Sequence, residues 1–378
     1  MTPPRWIRTP EELDALVLSL GGAKALCIDT EADGLHHHPV KLCLVQVADD
    51  GGRGYLVDPL ALPTLEPLGP FFADAGVVKV LHAADNDLGY LKRLYGFSVA
   101  NVFDTAIAAR FLGVTSLSLD GLLRDFIGVD PGPSRQKDDW SKRPLSPAQE
   151  TYALNDVLHL IPLRERLLEE LEAKGRERWV AEECSALAAL DMPEKAVDPD
   201  AYLGLKGAKD LEPRGWAVLR ELYAAREGLA LQLDRPPFMV IPHESLVALA
   251  AQRPHDMAGL LAVRGRTPHV VRRTGTAILE AVARGEAISE AELPLRRSSP
   301  RPVIPAAVRR RAESLRAWRR KIAEELVLDP GVLLPQRVID RLAAEPPRDL
   351  VALEQTEGVR RWRAEQFGED LLKALGVV

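Results

Sequence analysis

Asp29 and Glu31 follow the apolar run Leu26-Cys27-Ile28, and the two-residue period of an extended strand sends both carboxylates to one face at the strand end. Two like charges that close raise each other's pKa unless a cation neutralises them, so the pair suits a metal site. Strand ends also carry acids for solubility alone, and both readings stand for these two residues. A second acid lies in the stretch 85–95, read as a helix with the apolar stripe Leu88, Leu91, Leu94 and Tyr95. Asp87 borders that stripe, whereas Asp85 points away as an ordinary helix-start acid. A third helix is signalled by Ser146-Pro147-Ala148-Gln149, a capping box with proline at the first helical position. Along it Tyr152, Asp156, Leu160, Leu163 and Leu167 recur on the inward stripe. An aspartate among leucines needs a cation, either an arginine or a metal.

These groups come from a region that alternates strands with helices. The runs 25–31, 41–48, 54–58 and 77–82 read as strands, the first three close enough to be antiparallel neighbours, with a helical stretch permitting a crossover before the fourth. The fold class expected is therefore an α/β domain with a mixed sheet and flanking helices, over residues 1–190. Beyond about residue 190 the strand signal fades and an all-helical region follows. Proline-rich, charged stretches at 191–200 and 289–305 mark linkers. Between and after them a diverged repeat sets Leu219–Val282 against Leu315–Leu375, with LRELYAAREGLA on LRAWRRKIAEEL, FMVIP on GVLLP and DMAGLLAVRG on DLVALEQTEG. This gives a linker over 191–208, one helical domain over 209–288, a linker over 289–305 and a second helical domain over 306–378.

With 378 residues the chain exceeds one hydrophobic core, and it holds no apolar run long enough to span a bilayer. Its first residues, MTPPRWIRTPEEL, lack the apolar stretch of an export signal, so a cytoplasmic location is expected. Cys27, Cys43 and Cys184 lie far apart, which argues for buried reduced thiols over a zinc site or a disulfide framework. The net charge of −6 hides a basic block from Arg296 to Lys321, with ten basic residues against the single acid Glu313. Alone, such a block is a solvated linker and helix face, and it gains weight as an anion-binding surface only from its neighbours.

Three motifs, LCIDTEADGL (26–35), LHAADNDLGYL (81–91) and YALNDV (152–157), resemble in order and spacing the exonuclease motifs of the DEDD superfamily, and the tyrosine four residues before the last aspartate resembles its tyrosine subgroup. The segment KDDWSKRPLSPAQETYALNDV (137–157) is similar to the ribonuclease D family, and the twin helical regions look like that family's C-terminal HRDC domains. The resemblance covers nearly the whole chain. It implies a ribonuclease H-like exonuclease domain in which Asp29, Glu31, Asp87 and Asp156 bind two divalent metal ions, Mg²⁺ or Mn²⁺, with Asp29 bridging them. In the two-metal scheme one ion activates a water and the other stabilises the departing 3′ oxygen, with the ions roughly 4 Å apart. Tyr152, with a phenol pKa near 10, orients the water instead of deprotonating it.

The same resemblance implies that Leu35 wedges against the terminal base and that His82 and Asp104 support the site from behind. Gln46 is a candidate for polar support. Ser134, Arg135 and Lys137 are expected phosphate contacts, although this loop, PGPSRQKDDW, lacks the lysine that the family places before its small hydroxyl residue. The adjacent His36, His37 and His38 receive no role. Basic residues in 263–273 and in the block ending at Lys321 are expected to bind RNA, with protein contact or simple packing as the competing roles. The expected activity is 3′→5′ removal of nucleoside 5′-monophosphates from single-stranded RNA ends, in the processing of tRNA precursors and other stable RNAs, by a monomer without a membrane partner. DNA is the alternative polymer, because sugar contacts alone separate the two. A non-catalytic nucleic-acid-binding protein and a metal-free scaffold with arginine-paired acids are the remaining readings.

Overall fold

The computed structural model describes residues 5–193, 198–263, 268–294 and 304–377, the side chains of 268–272 excepted. Arg264, Arg266, Arg296, Arg297 and Arg301, to which the sequence assigns phosphate contacts, lie outside the described residues, as does the side chain of Arg272. Six strands form one sheet in the order β1-β4-β3-β2-β5-β6: β1 (Arg5–Ile7), β2 (Ala25–Ala32), β3 (Leu42–Asp49), β4 (Gly54–Val57), β5 (Val78–Leu81) and β6 (Val102–Asp104). β3 and β4 pair antiparallel; β1 with β4, β2 with β5 and β5 with β6 pair parallel. The mixed sheet agrees with the expectation. Both edge strands, β1 and β6, escape the sequence reading because three residues are too few to show a period.

Among the described residues eight α-helices accompany the sheet: α1 (Pro10–Leu20), α2 (Gly69–Ala73), α3 (Asp85–Tyr95), α4 (Thr105–Phe111), α5 (Leu119–Ile127), α6 (Pro147–Leu158), α7 (Leu160–Ala173) and α8 (Glu177–Ala189). In α3 the buried stripe is Leu88 and Leu91 with Tyr95 half-buried, while Leu94 is 55% exposed. Leu94 lies about a quarter of a turn from the centre of that stripe, which is why it leaves the core assigned to it. The helix expected to run on from Ser146 breaks at His159 into α6 and α7. Tyr152 and Asp156 therefore sit on one helix and Leu160, Leu163 and Leu167 on the next. α6 lies close over the β3–β4 hairpin: a Cβ on Gly54 would come within 2.8 Å of Leu154. Cys27, Cys43 and Cys184 are buried free thiols, as expected, and burial pushes Cys27 and Cys184 up to about 12.

Ten further helices form the two repeats, α9 (Pro213–Leu233), α10 (Pro237–Val240), α11 (His243–Gln252), α12 (Met257–Ala262) and α13 (Pro268–Ala287), then α14 (Ala306–Leu326), α15 (Pro330–Leu333), α16 (Gln336–Ala344), α17 (Leu350–Glu354) and α18 (Arg361–Leu375). Their starts lie 93 residues apart, 213 to 306, 237 to 330, 243 to 336 and 268 to 361. Leu315 thus corresponds to Leu222, not to Leu219 as the sequence pairing has it. The three-residue slip is close to one helical turn, so it leaves the apolar pattern nearly unchanged and invisible to pattern matching.

Two compact units result. One comprises 1–31, 42–193 and 303–378, so the second helical module shares it with the sheet; the other comprises 32–41 and 194–302. In the second unit, Trp216, Leu222, Ile241, Leu246, Leu249 and Leu260 make a closed core. Its 32–41 segment is held by His37, whose Nδ1 lies 2.7 Å from an Asp234 carboxylate oxygen, and by the His38 amide, which donates to the same carboxylate. No described helix is long and apolar enough to cross a membrane.

Candidate active site

β2 ends in Asp29, Thr30, Glu31 and Ala32. Alternation turns Asp29 and Glu31 together, and Asp156 from α6 meets them: one carboxylate oxygen from each lies within 4.8 Å of the others. Thr30, on the opposite pleat, donates its hydroxyl to an Asp87 oxygen at 2.5 Å and so fixes the acid of α3 against the strand that carries the other two. All four acids and Tyr152 line one cavity of about 690 Å³. Asp87 is buried while Asp85 is exposed, as the helical projection requires.

Each carrier is fixed locally. α6 starts from the expected capping box, Ser146 accepting from the Gln149 amide and Gln149 Oε1 accepting from the Ser146 amide. The turn before it is held by Arg143, which donates to both Asp58 oxygens and to the carbonyls of Cys43, Trp140 and Lys142. α3 has no side-chain cap of its own. Instead Asp104 accepts from the amides of Ala83 and Ala84 at the entry to α3 and from Ala106 and Ile107 at the start of α4. Ala83 has φ +53°, a conformation costly for a residue with a side chain, and it persists where its surroundings over-determine it.

The electrostatics express the crowding. Loss of water around its carboxyl, followed by the charges of Asp87, Asp156 and Glu31, lifts Asp29 well above the carboxylate range. Burial, then Asp156, Asp87 and Asp138, pushes Glu31 up to about 9. Burial raises Asp156 to about 7 against the lowering effect of the Tyr152 hydroxyl, and raises Asp87 to about 6 against the Thr30 hydrogen bond. A cluster that resists full ionisation is relieved by a cation, and an all-oxygen donor set fits hard divalent ions. Burial first, then Asp156 and Glu31, raises Tyr152 further above the ordinary phenol value, so it stays protonated. Its hydroxyl bonds to Asp156, and the Ser134 hydroxyl bonds to it.

The other assigned residues divide. His82 lines the cavity with Nδ1 2.9 Å from the Thr105 hydroxyl. Ser134 lines it too, while Arg135 pairs with Asp138 at 3.4 Å and Lys137 is exposed. Gln46 is wholly buried in β3 opposite Leu56, and neither end of its amide finds a hydrogen bond among the described residues. Leu35 is 45% exposed in the 32–41 segment of the second unit. Sequence reasoning missed Thr30, Asn86, Ser118, Asp120 and Gln136 on the cavity wall. Thr30 was findable, since it stands between two acids at a strand end; Ser118 and Asp120 sit at an unremarkable helix start.

A 3′-5′ exonuclease family profile matches residues 4–172, and an HRDC domain profile matches 216–282 and 308–375. Ribonuclease D of Gluconacetobacter diazotrophicus is 35% identical over 98% of this chain and 92% of its own. Ribonuclease D of Pseudomonas paraeruginosa is 32% identical over 98% and 97%. The crystal structure of Escherichia coli RNase D superposes with a TM-score of 0.70 at 25% identity, covering 99% of each chain. With four carboxylates and a tyrosine gathered behind a mixed sheet and two HRDC domains downstream, the chain belongs to the ribonuclease D family of 3′-5′ exoribonucleases.

Proposed function

We propose that Asp29, Glu31, Asp87 and Asp156 hold two divalent metal ions, Mg²⁺ or Mn²⁺, and that the site removes nucleoside 5′-monophosphates one at a time from RNA 3′ ends. The observation that carries this reading is the convergence on one cavity of four carboxylates, each raised in pKa chiefly by burial, together with Tyr152. When bound, such ions act as Lewis acids that make water a nucleophile near neutral pH and offset charge on the leaving oxygen. Tyr152, protonated and held between Asp156 and Ser134, keeps a hydrogen bond available to orient the attacking water. Water adds at phosphorus, the bond to the 3′ oxygen breaks, and the shortened strand keeps a 3′ hydroxyl. His82 and Asp104 support the cavity wall, and Leu35, Ser134, Arg135 and Lys137 are the substrate contacts.

The physiological substrates in this reading are tRNA precursors and other stable RNAs, cut in the cytoplasm by a monomer. The Escherichia coli relative, an exoribonuclease involved in structured RNA processing, supports that class. The boundaries that go with it are an exonuclease domain over 1–190 and helical domains over 209–288 and 306–378. A time course on 5′-labelled single-stranded RNA and its DNA counterpart, with Mg²⁺ or Mn²⁺ and with EDTA, tests the proposal. Shortening of RNA from the 3′ end is expected, abolished by chelation and by Asp29→Ala or Asp156→Ala in folded protein. Tyr152→Phe should lower kcat while metal binding persists. Preferential shortening of DNA moves the enzyme to repair, and binding of RNA without shortening defeats the catalytic claim.

A further inference from the structure

Arg176, at the start of α8, is 6% exposed and has no carboxylate partner among the described residues. One guanidinium nitrogen donates to the carbonyl of Phe111 at 2.7 Å and the other to the carbonyl of Leu326 at 2.8 Å. These are the last residues of α4 and α14, so a single cation caps two helix C-termini, one from the exonuclease domain and one from the second helical module. Just beyond those ends the backbones meet. Gly113 has φ +87°, and a Cβ there would stand 2.3 Å from the carbonyl oxygen of Val327, so only glycine permits the approach.

The chain leaving Gly113 leads straight to the catalytic cavity. Val114 and Leu117 face Arg320, Ala323, Val327 and Val332 across a groove of about 810 Å³, and the next residues, Ser118, Leu119 and Asp120, line the acid cavity. One side of this segment faces that groove, while Val114, Leu117 and Leu119 pack in part against the exonuclease core. The segment is tied to the module by the Gly113 contact with Val327 and to the cavity by the bond between the Leu117 backbone and His82. Leu328, Leu333 and Trp362 of the module belong to the core of the exonuclease domain, with Trp362 stacked on Trp179 at 4.4 Å.

We infer that the second helical module holds residues 113–120 in place as a wall of the catalytic cavity, with Arg176 as the positioning residue, so that the module contributes to turnover whatever the length of the RNA. This rests on the exonuclease reading given above. A module that served only to bind RNA would act through affinity for long substrates, because a tetranucleotide spans little beyond the cavity. Small displacements of a site wall cost rate even when the substituted residue is remote from the chemistry.

The test is steady-state kinetics of full-length Arg176→Met and Arg176→Lys on an RNA tetranucleotide and a thirty-nucleotide RNA, with thermal unfolding followed in parallel. Arg176→Met should lower kcat about tenfold or more on both RNAs with KM within about twofold, and Arg176→Lys should recover part of the loss. Unchanged kcat on the tetranucleotide in folded Arg176→Met, or an effect confined to KM on the long RNA, overturns the inference. Should Arg176→Met not fold, amide exchange of residues 113–120 in Trp362→Phe decides: faster exchange than in the parent chain supports it, and equal exchange overturns it. A parent chain inactive on both RNAs would sink the exonuclease reading, and the exchange measurement would still judge the wall.

Discussion

In the first helical module, Leu222, Ala230, Ile241, Leu246, Leu249 and Leu260 close on one another. In the second, the matching Leu315, Leu334, Ile339, Leu342 and Leu353 do the same, but Ala323, Leu328, Leu333 and Trp362 pack into the exonuclease core. Two positions make much of the difference. Leu328 is buried where the first module has the exposed Arg235, and Trp362 stands where the first module has His269. One helical framework can thus stand alone or share another domain's core, and a few residues at its helix ends decide which. Around Trp362 the shared core is finished by polar groups: its amide donates to Glu182, and the buried Arg363 pairs with Glu183 at 2.6 Å while donating to the Leu333 and Val332 carbonyls.

Removing the shared anchor should have the largest effect. Trp362→Ala is expected to cost about 3–5 kcal/mol and to lower the unfolding of the exonuclease domain and the second module together, read by calorimetry and by loss of activity. Leu328→Arg, which writes the first module's residue into the second, should act the same way by burying a charge without a partner. Two separate transitions after either change would break the comparison. Leu246→Ala, in the closed core of the first module, should cost about 2–5 kcal/mol in that unit's transition alone, with the rate on an RNA tetranucleotide retained.

Metal sharpens the comparison further. Glu31 at about 9, Asp156 at about 7 and Asp87 at about 6 are raised above their unfolded values. The metal-free folded state therefore holds protons that the unfolded chain releases, and its stability falls as pH rises from about 4 through these values. Mg²⁺ or Mn²⁺ should raise the unfolding temperature of the transition that includes Trp362, more at pH 8 than at pH 5.5, and leave the first module's transition unmoved. An equal shift at both pH values would remove the acids from the explanation. Arg235→Leu, the reverse exchange at an exposed position, should change stability by no more than about 0.5 kcal/mol in urea titration.

Much of the site was legible because its chemistry is unusual: acids at a strand end, beside a helical stripe and among leucines have few uses. Local rules also located Ser146 as a cap and the four longer strands. What stayed hidden lies in tertiary structure. The sequence reading assigns Trp362 no place, and the structure shows it buried in the exonuclease core instead of its own module's. The break at His159 keeps the apolar spacing running, so the pattern reads as one helix. In the basic block, Arg311 and Arg319 donate to the carbonyls of Ala343 and Leu334 and Arg316 lies 3.7 Å from Asp340, so part of that charge caps and pairs inside the module. A count of arginines cannot separate such roles from phosphate contacts.

The guanidinium of Arg176 bonds to carbonyl dipoles rather than to a carboxylate, and the rings of Trp179 and Trp362 stack beside it. Mobile ions screen exposed charges strongly and buried dipolar contacts little, whereas RNA affinity falls steeply with salt through counterion release. Raising the ionic strength should therefore strip RNA from this enzyme while its second module stays docked, so a salt wash separates loss of substrate from loss of architecture.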